Sequence, residues 1–392
     1  MLRGYTEVAY AKGEHRSTDQ GNRRQQRWSI YWRAFAGCIA DPFGGDSTCS
    51  SSLHQERPQV RRNGGPELTG IALALLLVSV LPAIASEPVE RIAFGSCNKH
   101  DSEQPMWQVI QQQEPDVWIW TGDIIYGDTE DMALLRSKYD AQKARPDYAR
   151  FASTCDVIGI YDDHDYGVND GGKEYLKRAE SQQLLLDFLD VPADAPRRAQ
   201  DGAYGSHLYG SGDQQVRIML LDARYHRDSP GENADVLGVD QWAWLEEQLT
   251  TTQARLNIIA SGIQVLPTEH KYEKWANFPK ARKRLLDLVR TSGARGVMFL
   301  SGDRHLAEIS RLDSPSHEPL YDVTSSGLTH SWTSFPGEPN GLRIGSVYHQ
   351  LNFGLLTIDW RPEPAVVDLQ ILDIQGDVVR SERLYLPSGS PR

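Results

Sequence analysis

Residues 157–165 read VIGIYDDHD, an apolar run of strand length that ends in Asp162-Asp163-His164-Asp165. Val157, Ile158, Ile160 and Tyr161 suit a buried strand. Four ionisable groups directly after it are hard to place in a core, because a buried charge is costly unless it is paired or bound to metal. The same form recurs. Residues 91–94 (RIAF) run into Gly95-Ser96-Cys97, residues 117–121 (VWIWT) into Gly122-Asp123-Ile124-Ile125-Tyr126, and residues 296–300 (GVMFL) into Ser301 and Gly302-Asp303-Arg304-His305. In open α/β sheets ligands bind at the carboxyl ends of the strands. Asp, His, Tyr and a thiolate converging there have the donor set of a metal cage. A Gly before each of Asp123 and Asp303 lets the chain turn sharply. A Gly-Asp pair or a lone Cys is by itself weak, being as often a turn or a small buried hydrophobe; the four strand ends taken together are not.

Outward from these strands the periodicity alternates. Helices are expected over 105–113, 130–143, 173–189, 239–249 and 279–289, and a further strand over 256–263. Strands at 203–209 and 216–222 flank Ser211-Gly212-Asp213, a hairpin signal. From residue 308 the pattern is all strand, at 308–312, 321–324, 353–359, 366–374 and 378–386. No repeat or low-complexity linker interrupts it. The expected class is α/β, two mixed sheets with helices outside, in one domain spanning 86–392.

The 392-residue chain has a net charge of −12, and 40% of its residues are hydrophobic, which excludes disorder as the main state. The acidic field disfavours a nucleic-acid partner. The first 67 residues lack either periodicity. Residues 68–85 (LTGIALALLLVSVLPAIA) are free of charge, follow Arg61 and Arg62, and end in Ala83-Ile84-Ala85. These are the parts of a secretory signal peptide. Residues 60–85 are therefore expected to be one, cleaved after Ala85, leaving no membrane span and a periplasmic or secreted protein. Residues 1–59 are expected to be an upstream extension or a disordered leader. Residues 86–392 carry −15 and two cysteines, Cys97 and Cys155. They are expected to stay unpaired, because Cys97 ends its strand at the ligand edge and Cys155 precedes its strand at the other, roughly 15 Å away at ~3.3 Å per residue.

As a set, FGSC at 94–97, TGDIIY at 121–126, DDHD at 162–165, LDAR at 221–224, SGDRH at 301–305 and SSGLTHSW at 325–332 resemble the alkaline phosphatase D (PhoD-type) family of metallophosphatases, in the family's order. The resemblance implies a four-layer αββα sandwich of the calcineurin-like metallophosphatase type, with a binuclear or multinuclear metal centre that hydrolyses phosphate monoesters or diesters. It gives Asp123 the role of bridging carboxylate, and Cys97 and Tyr126 the role of ligands to an Fe(III)-type site. Asp163, Asp303 and His305 become further metal ligands. His164 would contact the phosphate or protonate the leaving group, and Arg224 would clamp a phosphate oxygen. The chain departs from the pattern at Gln264, where many metallophosphatases place a His, and at Asp165, where Glu is common.

The chemistry agrees with the resemblance. A phosphate ester is shielded by its own negative charge, and two cations about 3.5–4 Å apart neutralise it and clamp the attacking and leaving oxygens. Thiolate and tyrosinate favour iron over Mg(II), and carboxylates suit Ca(II). The expected substrate is a small or polymeric phosphate ester. Rival readings are a phospholipase D-like phosphodiesterase on the same centre and a non-catalytic, metal-stabilised surface binding protein. His207, His226, His270, His317, His330 and His349 read as isolated surface or hydrogen-bonded histidines. Trp118 and Trp120 read as core, Trp242 and Trp244 as packing, and Lys280–Arg284 as the solvated face of a helix.

Overall fold

In a computed structural model, residues 87–386 are described; the expected leader (1–59) and signal peptide (60–85) lie outside them. The parallel part of the first sheet is built from β1 (Arg91–Gly95), β2 (Val117–Thr121) and β3 (Asp156–Ile160). Antiparallel β11 (Asn352–Asp359), β12 (Ala365–Asp373) and β13 (Val378–Leu386) extend it, giving the order β13-β12-β11-β1-β2-β3. The second sheet contains β4 (Gly205–Tyr209), β5 (Val216–Leu220), β6 (Leu256–Ala260), β7 (Val297–Ser301), β8 (Ala307–Leu312), β9 (Leu320–Ser325) and β10 (Arg343–Tyr348), in the order β10-β8-β9-β7-β6-β5-β4. Its parallel centre runs β5, β6, β7, β9.

Burial explains the layering. β2, β6 and β7 are buried along their whole length, as parallel strands covered on both faces must be. One face of each sheet meets the other in a shared apolar core, with Ile92, Phe94 and Ile119 from the first and Ile218, Ile258 and Leu300 from the second. The other face of the first sheet is covered by α1 (Met106–Gln112), α2 (Met132–Lys143), α3 (Pro146–Ala152) and α5 (Arg178–Phe188). There Trp118 and Trp120, two residues apart and so on the same face, pack edge-on against Trp107 of α1 at 5.3 and 5.4 Å between ring centroids. α6 (Gly238–Thr251) and α7 (Pro279–Thr291) cover the second sheet. The result is an αββα sandwich.

Three elements differ from expectation. The helix expected over 173–189 starts only at Arg178; the preceding loop is held by Lys173 pairing with Asp228 and by Tyr175 bonding the Thr129 carbonyl. α3 lies between two expected elements and begins with Pro146 at its first position, where the missing N–H is harmless. β10, at one edge of the second sheet, is interrupted by an irregularity between Ile344 and Tyr348 and is partly exposed, so it lacks the strict alternation that marks a strand in sequence. Among the described residues no helix is long and apolar enough to cross a membrane.

Candidate metal centre

The carboxyl ends of β1, β2, β3 and β7 converge, and the backbone there is unlike the strands that lead to it. Cys97, Asp123, Asp303 and His305 all have positive φ, at 59°, 50°, 68° and 52°. For residues with a Cβ this conformation is sparsely populated and marks sites where side chains are aimed for function. Two glycines let the strand ends close on one another. A Cβ on Gly122 would lie 2.3 Å from Asp162 Cβ, and one on Gly302 would lie 2.5 Å from both Ser96 Oγ and the Thr121 carbonyl. Gly302 thus allows the end of β7 to press against the ends of β1 and β2 across the two sheets.

Asp162-Asp163-His164-Asp165 forms the start of a one-turn helix, α4 (Asp163–Tyr166), and its members take different tasks. Asp165 accepts from the backbone N–H groups of Asp162 at 2.7 Å, Ile124 at 3.0 Å and Asp123 at 3.2 Å, so it caps its own turn and pins the loop after β2. Asp162 is paired through Oδ1 with Arg224 at 2.5 Å. Asp163 accepts from the Asp170 and His164 amides. His164 Nδ1 donates to Asp128 at 2.7 Å, and its ring lies 4.2 Å from that of Tyr126.

These loops assemble three groups of ligand atoms, each group lying within 4.8 Å: Cys97, Asp123 and His305; Asp123, Asp163 and His164; and Asp162, Asp163 and Asp303. Asp123 belongs to two of them. Tyr126 joins the first group, its hydroxyl lying 3.0 Å from His305 Nε2 and 2.9 Å from His330 Nε2. The electrostatics suit cations. Burial, with Asp163, Asp162, Asp165 and Asp303 nearby, pushes the Asp123 carboxyl well above the usual range. Burial and the facing Asp163 push Asp303 up to about 8. Burial and Asp123 raise the Cys97 thiol, and burial lowers His305 to about 4 and His330 to about 3, leaving both imidazoles neutral. Asp163 is the exception: against its burial, Arg224 and His164 hold it below the ordinary carboxylate value. Asp123 Oδ1 and Asp162 Oδ2 are buried without a hydrogen-bond partner, a state that a bound cation relieves. The residues present fit a metal centre.

All eight candidate residues from the sequence, Cys97, Asp123, Tyr126, Asp163, His164, Arg224, Asp303 and His305, thus lie in this one region. Arg224 is fully buried, 3.9 Å from Asp163 and engaged by Asp162 and Glu273, with Arg227 as a second cation on Glu273. Gln264 donates to Glu308 and Thr324. Sequence reading took His330 for an isolated histidine and passed over Asp128 and Glu273. His330 sits 3.3 Å from His305 and against Tyr126, and its place inside SSGLTHSW was the available signal. Asp128 and Glu273 belong to no motif and become visible only as partners. His270 is buried and hydrogen-bonded to Arg304 at 2.8 Å. Cys97 and Cys155 are both thiols.

Sandwich and strand-end site together define a metallophosphatase-type α/β protein whose strand-end residues fit a metal centre. The PhoD-like phosphatase profile matches residues 92–334, and the chain belongs to that family. It is 22% identical over 282 residues to alkaline phosphatase D of Bacillus subtilis (strain 168), covering 58% of this chain and 48% of that one, so the chain spans about half the length of this curated relative. Among solved structures it resembles PhoD (TM-score 0.59, 16% identity, 77% of this chain and 69% of that one). It also resembles GAP50, the anchor in the inner membrane complex of Plasmodium (0.54, 11%, 77% and 90%). A dimetal phosphatase from Danio rerio shares the fold too (0.50, 14%, 76% and 100%).

Proposed function

We propose that this chain is an exported, metal-dependent phosphoesterase that hydrolyses phosphate monoesters, diesters or both. The observation that carries the reading is Asp123, a buried carboxylate shared by two groups of ligand atoms and left with one partnerless oxygen. Cys97, Tyr126 and His305, with His330 alongside, offer the softer, more basic set and are assigned to Fe(III). Burial makes the thiol and the phenol hard to ionise, and a strongly charged cation is what would stabilise their anions. Asp162, Asp163 and Asp303 offer an all-oxygen set and are assigned to Ca(II). Asp123 shares one group with Cys97 and His305 and another with Asp163 and His164. When bound, such cations neutralise the phosphate oxygens and activate the ester toward water.

The remaining work falls to the chain's own side chains. With Nδ1 held by Asp128, His164 keeps Nε2 to carry a proton to the departing oxygen. Arg224 holds Asp162 and Glu273 in place and offsets the charge of Asp163, so it is a positioning residue. Asp165 fixes the backbone on which Asp123 stands. The exported state rests on the apolar stretch at 68–85 and the acidic remainder.

Metal analysis of the purified protein, with assays on p-nitrophenyl phosphate and bis(p-nitrophenyl) phosphate, tests the reading. Iron and calcium with turnover of either ester are expected. Bound metal with neither ester hydrolysed would mean a surface binding protein, and absence of metal would remove the centre altogether. N-terminal sequencing of exported protein, expected to begin at Ser86, tests the leader.

A further inference from the structure

Resting on the phosphoesterase reading, we infer that Lys99 is the cation that reads the phosphate at the mouth of this centre, and that it biases the site toward dianionic monoesters. Arg224, Arg227, Arg304 and Lys138 also pack on the site's loops, and each is engaged. Arg224 and Arg227 serve Asp162 and Glu273, Arg304 serves Glu338 and His270, and Lys138 donates to the carbonyls of Tyr126 and Gly127. Lys99 is half-buried, and among the described residues its ammonium has no hydrogen-bond or carboxylate partner. It lies 5.4 Å from the centre of the Tyr126 ring, whose hydroxyl touches both His305 and His330.

The backbone under Lys99 is rigid. Its amide donates to Thr329 Oγ1 at 2.8 Å, and that hydroxyl donates to the Cys97 carbonyl at 3.1 Å. The preceding residue is held from three sides: the Asn98 amide donates to the Asp123 carbonyl, and the Asn98 side chain donates to Ile124 O and Gln142 Oε1. A fixed stem root under an ammonium that makes no hydrogen bond suits a point charge for an arriving anion. At equal distance a dianion gains about twice as much from this charge as a monoanion does.

Lys99→Gln removes the charge, and Lys99→Met keeps the aliphatic stem over Tyr126 in case the amide variant is unstable. Each is expected to lower kcat/KM for p-nitrophenyl phosphate roughly 10–100-fold, mainly through KM, as loss of one charge-assisted contact implies. Affinity of the metal-loaded protein for inorganic phosphate should fall by a similar factor. The effect on bis(p-nitrophenyl) phosphate should stay below about threefold, iron and calcium content should not change, and Lys99→Arg should restore most of the loss. Unchanged phosphate affinity in both charge-deleting variants overturns the inference, as does loss of metal or an equal loss on both esters. The phosphate titration needs no turnover. A wild-type protein that binds phosphate yet hydrolyses neither ester therefore defeats the phosphoesterase reading, while phosphate affinity alone judges Lys99.

Discussion

The body of β2 and the four residues that follow it obey different rules. Val117–Thr121 is wholly buried and regular, paired with β1 on one side and β3 on the other. Gly122 and Asp123 then both take positive φ, and Asp123 turns a carboxylate into a cluster of others. β1 and β7 make the same change at Cys97 and at Asp303. Strand bodies lower the free energy of the fold by burying apolar surface; strand ends raise it through strained backbone and crowded charge. Stability and chemistry are therefore divided along each strand, so a change at the ends should remove chemistry and leave the fold, and a change in the bodies should do the reverse. GAP50 shares the sandwich at 11% identity, and fold likeness at that level carries no chemistry with it.

The division is most severely tested at Asp123. Asp123→Asn should lose both metals and nearly all turnover, several orders of magnitude, while circular dichroism and the unfolding midpoint stay close to wild type. Full metal content and rate in this variant would break both the division and the bridging role. At His164 the loss should be smaller, roughly 10²–10⁴ in rate with metals retained, the usual share of general acid–base help. Loss of metal on His164→Ala would instead make it a ligand.

In the strand bodies the signs reverse. Phe94→Ala, in the core between the sheets, should destabilise the fold by about 3–5 kcal/mol in a urea titration and leave metal stoichiometry unchanged in the folded fraction. Metal loss without destabilisation would sink the division from that side. The last test lies away from the centre altogether. Burial, with Arg197 nearby, lowers His207 on β4 to about 3. A histidine whose folded value is depressed binds its proton in the unfolded chain first, so its contribution is present above about 6.5 and is lost as pH falls toward 3. His207→Gln should therefore gain on wild type by up to about 1.4 kcal/mol per pH unit on acidification below 6.5. A stability difference independent of pH would mean His207 is not held neutral.

Much of this was legible beforehand because strand bodies announce themselves. Continuous apolar runs such as those of β2 and β7 need no tertiary information to be read as buried parallel strands, and the acids directly after them stand out for the same reason. The irregular β10 at a sheet edge and the short α3 were not legible, because neither carries enough periodicity to be told from loop. Within the site, partners outside the motifs were not found: Asp128 orients His164, and Glu273 shares Arg224 with Asp162, from chain separations of 36 and 111 residues. His330, beside His305, lay inside a motif and was still read as isolated.

The sequence by itself determined the layered α/β class, the strand ends as the place of the chemistry, and a donor set of Cys, Tyr, His and Asp, since these follow from apolar periodicity and from the high cost of burying charge. Only the tertiary structure decided how the similar carboxylates divide their work. Asp123 is shared between ligand groups, Asp162 answers Arg224, and Asp165 caps a turn. It likewise decided that Arg224 sits between Asp162 and Glu273 while Lys99 lies over the Tyr126 ring. A carboxylate or a cation acquires its role from the charges and N–H groups within a few ångströms of it, and those arrive from strands and loops far apart in the chain.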